Sequence, residues 1–396
     1  MENQFPITSG EKIEFEIDRY DIHKVAYKNA ERLSNIWQAN FMGGGRLHML
    51  LKKITQDKTL NDYLESMVEK REWKVAEGWI ESPKSEPLQK INLLTEKDRS
   101  QLEIEELADL EFKHKADWIT GKPFVETDDF TEEGIKETKI CEINYFYRSS
   151  KKNKEIFEPP HLIIHESVKN GRVPVILRND YLTFKDSLFG VYAPENDIEK
   201  LNEIKEYLTN KFNIALIWLN SGKVITMREG VPTKGDILSL PYPQVEFNEI
   251  DKILLEDIST HYSEFRKEGE KSDILNEVTN DELEDFGIIY CQILNSIYKN
   301  FNPLPPIKGK EFIAYPFVLG EQPEFELPNS IGKIEEQLRN LIDNRQSYNL
   351  WIKRILKVYH KNVVIFYKPN QKRFWLKSIA IRDADETFID LYKQGK

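Results

Sequence analysis

The chain has 396 residues, of which 40% are hydrophobic and 31% charged, and it contains two widely separated cysteines, Cys141 and Cys291. This length allows two or three domains, and the aromatic content argues against extended disorder. The cysteines imply neither a disulfide framework nor a zinc site, which favours a reducing cytoplasm. The longest apolar runs are too short to span a bilayer, so we expect a cytoplasmic protein without a membrane partner.

The formal net charge is -11, which by itself disfavours nucleic acid. Between residues 345 and 382, however, there are ten Lys and Arg residues and no Asp or Glu. Subtracting this +10 from -11 leaves -21 for the rest of the chain. The sequence therefore predicts an acidic body that carries one strongly basic segment.

The first half of the chain begins with an alternating pattern at 13–17 that predicts a strand, followed by a helix over 25–37. Gly43, Gly44 and Gly45 are expected to stop the helical pattern. Strand-like runs then cluster in the middle of the chain, at 139–147, 162–165, 173–177 and 187–192. The apolar spacing over 197–219 predicts an amphipathic helix.

The second half predicts two helices at 248–268 and 280–300, then a proline-rich linker and a short helix near 331–343. Strand-like runs follow at 351–359, 362–368 and 373–381. The expected fold class is α+β, a mixed strand-and-helix domain flanked by helical segments and a basic, β-rich C-terminal segment. The expected regions are a helical spacer or docking region over 1–137, a recognition-like domain over 138–245, a helical region over 246–345 and the basic segment over 346–396.

Motifs for methyl transfer are missing from the sequence. The triple glycine follows a helical pattern rather than a strand, which is typical of a helix stop and not of a nucleotide-binding turn. Adenine methyltransferases hold the flipped base with Asn, Asp or Ser before Pro-Pro and an aromatic residue. The nearest string here is Glu158-Pro159-Pro160-His161, which lacks both the amide and the aromatic ring. We expect no catalytic residue and no bound cofactor in this chain.

A nuclease is an alternative, because Asp98 followed by Glu111 and Lys113 satisfies the loose spacing of a magnesium site. A segment this rich in charge would also match by chance, and a solvated surface explains it as well. His161 and His165 lie four residues apart on a predicted strand without further metal-ligand motifs. We expect them to be structural or surface residues and predict no metal site.

The last fifty residues interleave cations with aromatic residues, a pattern that favours nucleic-acid binding, since cations neutralise phosphates. A half-buried sheet with a lysine-rich solvent face would give the same pattern. The candidate DNA contacts in this segment are Lys353, Arg354, Lys357, Lys361, Lys368, Lys372, Arg373, Lys377 and Arg382. A second basic group lies around the central strands and consists of Lys169, Arg172, Arg178 and Lys185.

Several motifs occur in a characteristic order: IWQANFMGGGRLHMLLKKI, PPHLIIHES, FKDSLFGVYAP, a helix ending IALIWL, SLPYP, and the terminal RFWLKSIAIRDADETFIDL. This order resembles the region that follows the catalytic domain in adenine-specific DNA methyltransferases of type I and type IIG restriction–modification and related phage-defence systems. The resemblance implies a target-recognition domain that reads base edges in the major groove. The second basic group falls in the part that resembles this domain. His165 stands where such proteins are expected to have lysine.

These expectations combine into a DNA-binding specificity subunit from which methyl transfer has been separated. A partner chain, an adenine DNA methyltransferase, would bind S-adenosylmethionine and carry the base-flipping motif, with or without a nuclease or helicase. Apolar faces of the helices at 248–300 are candidates for docking that partner. The remaining alternative is an adaptor that binds only protein and shows no salt-sensitive DNA binding.

Overall fold

A computed structural model describes residues 25, 27–32, 36–55, 58–80, 114–115, 118–143, 145–146, 150–168, 172–221, 232–327, 330, 332–333 and 355–395. Helices and strands both occur throughout these residues, and the α+β class is confirmed. The chain divides into two compact units, one formed by Met1–Ile54 with Glu246–Lys396 and the other by Thr55–Val245. We call them the discontinuous unit and the central unit.

The helices, in chain order, are α1 (Tyr27–Arg32), α2 (Ile36–Phe41), α3 (Leu47–Ile54), α4 (Leu60–Arg71), α5 (Ile198–Leu208), α6 (Lys211–Asn220), α7 (Lys234–Leu238), α8 (Glu249–Asp257), α9 (Ser263–Glu268), α10 (Asn280–Asn295) and α11 (Lys377–Lys393). The strands are β1 (Lys74–Glu77), β2 (His114–Lys115), β3 (Pro123–Val125), β4 (Phe130–Thr131), β5 (Gly134–Ile135), β6 (Lys139–Ile140), β7 (Tyr145–Phe146), β8 (His161–His165), β9 (Val175–Arg178), β10 (Thr183–Phe184), β11 (Leu188–Tyr192), β12 (Phe301–Pro303), β13 (Ile307–Lys308), β14 (Phe312–Leu319), β15 (Leu356–His360) and β16 (Val363–Pro369).

The two units differ from the four regions expected from the sequence. The expected boundary between residues 245 and 246 coincides with the junction between the units. The expected spacer over 1–137, however, is divided at Ile54, and the regions 246–345 and 346–396 belong to one unit. Strand pairing explains this union, because β14 from the former region pairs along its length with β16 from the latter.

The central unit contains a four-stranded sheet in the order β1-β11-β8-β9, with antiparallel neighbours throughout. A three-stranded sheet, in the order β10-β3-β6, lies in the same unit. Their common core is built of large apolar side chains, including Trp79, Phe124, Phe157, Phe184 and Leu188. The predicted strands at 162–165, 173–177 and 187–192 correspond to β8, β9 and β11, because each apolar run supplies side chains to this core.

The amphipathic helix predicted over 197–219 is two helices. Asn210 separates α5 from α6, and its side-chain oxygen accepts the backbone N–H of Phe212 at 3.0 Å. This is an N-cap interaction, which begins a new helix by satisfying one of its unpaired donors. Helix α6 is then buried on all sides from Asn213 to Leu219, which explains why its sequence is apolar without a polar face.

The discontinuous unit is organised around a sheet in the order β12-β14-β16-β15, with β13 also paired to β14. Alternate side chains of β14 and β16 enter two different cores. Tyr315 and Phe366 belong to the core that includes α10 and α11, whereas Ala314 and Ile365 belong to a smaller core on the other face. Burial of both faces explains the continuous apolar runs of these strands.

The strand predicted over 373–381 is wrong. A single 3-10 turn at Lys372–Phe374 leads into the long helix α11, which begins at Lys377. The helix buries Ala380, Ala384, Thr387 and Leu391, spaced by four, three and four residues along one face. This face is made largely of small and polar residues, which give a weak helical pattern. The large apolar residues 374–376 therefore favoured the incorrect strand prediction.

The helix stop predicted at the triple glycine is confirmed. Helix α2 ends at Phe41, and Gly43, Gly44 and Gly45 have φ values of 127°, 61° and 58°. Side chains other than glycine adopt such left-handed conformations only with strain, so this turn requires glycine at successive positions. The chain reverses here and enters α3, whose buried face is Leu47, Leu50, Leu51 and Ile54.

Candidate nucleic-acid interface

Arg172 and Arg178 of the second basic group belong to β9 and its connection to β8 in the central unit, whereas Lys185 directly follows β10. The register of the hairpin pairs His161 with Arg178 and Ile164 with Val175. Beyond the paired strands, the backbone N–H of His165 donates to the carbonyl of Pro174 at 2.9 Å, and that of Glu166 donates to Ser187 at 3.0 Å. Main-chain hydrogen bonds therefore fix both ends of the connection between β8 and β9. Lys169, the first candidate of this group, lies outside the described residues.

Arg172 is exposed on this connection, and no acidic side chain among the described residues forms an ion pair with it. Arg178 differs, because its guanidinium donates to Asp180 at 2.5 Å. The ammonium of Lys185 donates to Glu126 at 2.9 Å and lies 5.4 Å from the centre of the Trp79 ring. Arg178 and Lys185 thus form internal contacts, while Arg172 presents its charge to solvent.

The C-terminal basic group is distributed very differently from what the sequence pattern predicts. Lys353 and Arg354 lie outside the described residues. Lys357 and Lys368, which we expected to face DNA, are buried instead, with side chains 2% and 0% exposed. Lys357 forms an ion pair with Asp390 at 2.7 Å.

Lys368 is held in a box of aromatic rings on the core face of β16. Its ammonium lies 4.2 Å from the centre of the Phe286 ring, 4.9 Å from Phe366 and 4.7 Å from Trp375. It donates to the carboxylate of Asp383 and, at 3.0 Å, to the carbonyl of Phe374. Burial lowers the pKa of Lys368 to about 8, although the neighbouring Asp383 opposes that shift. This is an internal ion pair that joins the sheet to α11.

Three further candidates carry acidic partners near the surface. Lys372 bridges Asp273 and Glu282 at 2.6 and 2.7 Å and is itself only 17% exposed. Two other pairs have longer separations, Lys377 with Asp285 at 2.9 Å and Arg382 with Glu386 at 3.6 Å. The bridges on Lys372 lower the pKa of Asp273 and raise the pKa of Lys372, whose burial acts in the opposite direction.

Lys361 and Arg373 complete the group. Lys361 is exposed at the turn between β15 and β16, where its ammonium donates to the carbonyl of Glu324 at 2.8 Å. Arg373 is half-buried, with its guanidinium 4.5 Å from the centre of the Phe374 ring and its Nε donating to Gln371 at 3.2 Å. Among the described members of the group, Lys361 and Lys377 are therefore the most exposed.

The acid-free window of the sequence does not produce an acid-free surface. The basic residues of the window form ion pairs with acidic residues immediately after it, at 383–390, and with others at 273–285. A helical interpretation of 377–393 would have indicated the first set, because Asp383, Glu386 and Asp390 recur at spacings of three and four. The second set comes from residues between 90 and 99 positions away, and nothing in the local sequence points to it.

The described residues contain no cluster of three or more His, Cys, Asp or Glu side chains that could hold a metal ion. Asp98, Glu111 and Lys113 lie outside the described residues. His161 and His165 are buried rather than exposed, and the His161 ring lies against the backbone of Ile156 and Glu158. Burial lowers the pKa of His161 to about 4, so its ring is neutral at pH 7.

A cavity in the discontinuous unit escaped the sequence interpretation. It has a volume of about 570 Å³ and is lined by the triple-glycine turn, by the end of α8 and by α11. Arg46 donates two hydrogen bonds to the carboxylate of Asp385 in its wall, at 2.8 and 2.7 Å. Asp257, at the end of α8, is also in the wall and is 9% exposed. Only the glycines were singled out from the sequence, as a helix stop.

The helices at 248–300 do not expose the apolar faces that we expected to dock a partner. Leu254, Leu255, Leu283, Phe286 and Tyr290 are all buried within the discontinuous unit. Two exposed isoleucines remain on this stretch, Ile288 and Ile297. Larger exposed apolar residues occur on α2 and α3, where Trp37 is 58% and Met49 72% exposed.

No protein-family model matches the chain, and comparison with curated proteins and with solved structures finds no significant match either. Within the residues that the structure describes, no helix combines the length and the apolar character needed to cross a membrane. Both cysteines are free and buried.

Proposed function

We propose that the protein binds duplex DNA through its central unit, as the recognition subunit for a separate adenine DNA methyltransferase. The observation that carries this proposal is the exposed Arg172 on the connection between β8 and β9. It is the described cation of the second basic group that is left outside the internal ion pairs. The order of motifs that resembles methyltransferase recognition regions provides the second support.

The position of Arg172 suits a phosphate contact. Cations on loops that leave a rigid sheet can approach the DNA backbone without a cost for reordering the sheet. The strands on either side are fixed by main-chain hydrogen bonds, and Leu162, Ile163 and Ile164 of β8 are fully buried. We therefore assign backbone contact to Arg172 and Lys169, and sequence reading to polar side chains of neighbouring loops.

In this proposal Arg178 and Lys185 are positioning residues rather than contacts. Each is bonded to a carboxylate of the same unit, and Lys185 also lies over Trp79 and Phe124. Among the described C-terminal cations, Lys357, Lys368, Lys372 and Arg382 are positioning residues for the same reason. The exposure of Lys361 and Lys377 leaves these two open to a weaker contact. The partner chain would supply S-adenosylmethionine and the base-flipping motif.

A protein-binding adaptor is the second candidate, and the exposed apolar residues of the discontinuous unit favour it. Tyr27, Trp37 and Met49 on α1, α2 and α3 are 75%, 58% and 72% exposed. Aromatic residues and methionine are enriched in protein interfaces, so this group fits a partner chain. Docking of a methyltransferase there would satisfy both candidates, whereas the adaptor alone requires no DNA contact.

The decisive experiment measures DNA binding by fluorescence anisotropy, with the full chain and a labelled random-sequence duplex over a range of salt concentrations. We expect the logarithm of the affinity to fall linearly with the logarithm of salt. Arg172→Ala should reduce the magnitude of that slope by about 1, because one phosphate contact is lost. Arg178→Ala should change folding stability more than the slope.

Arg71→Ala is the matched control, because Arg71 is an arginine of the same unit whose side chain is 52% exposed and bonded to Asp197. An unchanged slope in this variant, together with a reduced slope in Arg172→Ala, would support the assignment. Salt-independent association, or no association with duplex in the presence and absence of a methyltransferase partner, would favour the adaptor and reject the proposal.

A further inference from the structure

The cavity of the discontinuous unit has the dimensions of a small-molecule site. Its volume of about 570 Å³ lies within the range of roughly 300–1,000 Å³ that is typical of ligand pockets. Three separate stretches of chain form its wall: the turn around Gly43–Gly45, the segment 254–262 and helix α11. The apolar part of the wall includes Met42, Leu254, Ile258, Tyr262 and Ile379.

Asp257 provides a buried carboxylate in this wall. One oxygen, Oδ2, accepts the backbone N–H of Ser378 at 2.7 Å. Helix α11 lacks a side-chain cap of its own, since its N-cap residue is Leu376, so Asp257 caps it from another element. The Ser378 side chain also donates a hydrogen bond to this carboxylate. These contacts explain why a carboxylate is tolerated at the position, but neither of them supplies a positive charge.

The other oxygen has no cation within hydrogen-bond distance among the described residues. His261 is the nearest basic group, and its Nε2 lies 4.0 Å from Oδ1. Lys377, the residue before Ser378, also acts on Asp257 through its charge, but its ammonium is bonded to Asp285 at 2.9 Å. The Asp257 carboxylate is therefore buried with its nearest basic group 4.0 Å away, and burial raises its pKa. Burying a carboxylate without a close cation is costly, and such groups cluster at functional sites.

The other carboxylates of the wall are neutralised within the unit. Asp385 receives both hydrogen bonds from Arg46. Asp390 forms an ion pair with Lys357 at 2.7 Å and accepts the hydroxyl of Tyr359 at 2.6 Å. Glu386 lies 3.6 Å from Arg382. Within the described wall, Asp257 is therefore the carboxylate that a ligand can complement.

The backbone beside Asp257 is also irregular. The chain forms a π-helix over Ile258–Tyr262, and both end residues of this segment line the cavity. Single π-helical turns interrupt α-helices at a cost and occur frequently at functional sites. Here the turn places Ile258 and Tyr262 in the wall, directly after the carboxylate.

We propose that this cavity binds a small organic cation, an amine with an aromatic or branched apolar body. The ammonium group supplies a positive charge and hydrogen-bond donors in direct contact with Asp257, and the apolar body packs against Leu254, Ile258 and Ile379. The inference is independent of DNA binding, because it concerns the discontinuous unit and uses none of the residues assigned to the DNA contact.

The test uses phenethylamine as the probe, with 2-phenylethanol as a neutral analogue and 3-phenylpropionate as an anionic one. Binding to the full chain is measured by ligand-observed NMR and by calorimetry. We expect phenethylamine to bind with Kd on the order of 1 mM, the affinity of a small ligand, and about tenfold more tightly than the alcohol. Asp257→Asn should remove that advantage while its side-chain carbonyl still caps Ser378.

Asp281→Asn is the matched control, because Asp281 is an exposed carboxylate on α10 outside the cavity wall. Ile389→Arg provides a second test that does not touch the cap: Ile389 is a wall residue that is 48% exposed, and an added cation there should repel the amine. Ile297→Arg, at 52% exposure and outside the wall, is its control. Equal binding of the three probes, absence of binding, or amine binding that survives both Asp257→Asn and Ile389→Arg would overturn the proposal.

Discussion

Lys368 in the discontinuous unit and His161 in the central unit are both basic, both on inner strands of a sheet and both fully buried. The ammonium of Lys368 contacts the carboxylate of Asp383, a backbone carbonyl and three aromatic rings. His161 has an edge-on contact with Phe184, with ring centres 6.4 Å apart, and its ring lies against the backbone of Ile156 and Glu158. The two sheets thus accommodate a buried base in opposite ways.

The difference follows from the ordinary pKa values of the two side chains. Deprotonating a histidine at neutral pH costs little free energy, because its unperturbed pKa of about 6.5 is already close to that pH. A lysine with an unperturbed pKa of about 10.4 stays charged unless its burial is extreme, so it requires a counter-ion. A lysine in a strand sequence is therefore either exposed to solvent or buried beside a counter-ion. The strand sequence alone does not distinguish these two cases.

The largest expected effect comes from removing the charge of Lys368. Lys368→Met should destabilise the protein by about 3–5 kcal/mol, because Asp383 would remain buried without a partner. Denaturant unfolding at pH 7 measures this change. The variant should leave DNA affinity unaffected apart from any loss of folded protein.

The double variant Lys368→Met with Asp383→Leu is the control for that interpretation. Replacing both members of a buried ion pair with apolar residues is often neutral or stabilising, so most of the lost stability should return. If the single variant kept the stability of the original chain, Lys368 would be exposed to solvent and the buried pair would be incorrect.

The sequence predicted the α+β class and the positions of β8, β9, β11 and β16, because long apolar runs bounded by turn residues determine strands locally. It failed at α11, where small or polar residues such as Ala380, Ala384 and Thr387 make up much of the buried face. It also failed for the boundaries of the discontinuous unit, since a unit built from both ends of the chain leaves no signal at either end alone.

The candidate contacts were harder to predict than the fold. The sequence shows where the charged residues lie along the chain, but not which of them form ion pairs. Asp273 and Glu282, for example, contact Lys372 only in the folded protein. The same limit applies to the cavity, whose wall brings together Gly43–Gly45 with Asp257 and α11. Contacts between distant segments carry no local pattern that a sequence interpretation can detect.

The second expected effect concerns His161 and acid. The folded pKa of about 4 is below the ordinary value of 6.5, so above pH 6.5 the ring is neutral in both states and contributes no pH dependence. As the pH falls from 6.5 to 4, the unfolded chain takes up a proton that the folded chain does not. Stability should therefore decrease across this window, by up to about 3 kcal/mol from this side chain alone.

His161→Phe should flatten the stability profile between pH 6.5 and 4 by about that amount, because the replacement has no titrating group. Denaturant unfolding of both proteins at matched pH values measures the difference between the two profiles. Parallel profiles would show that His161 becomes protonated in the folded state, and the contrast with Lys368 would then disappear.

The smallest expected effect separates structural cations from DNA-binding ones at the surface. Lys372→Ala should lower stability by about 1–2 kcal/mol, because Asp273 and Glu282 lose a shared, mostly buried partner. It should leave the salt dependence of DNA binding unchanged. Arg172→Ala should give the reverse result, with stability within about 0.5 kcal/mol of the original chain, as is usual for an exposed side chain. A reduced salt slope in Lys372→Ala would mean that Lys372 leaves its two carboxylates to contact a DNA phosphate. The DNA would then bind to the discontinuous unit.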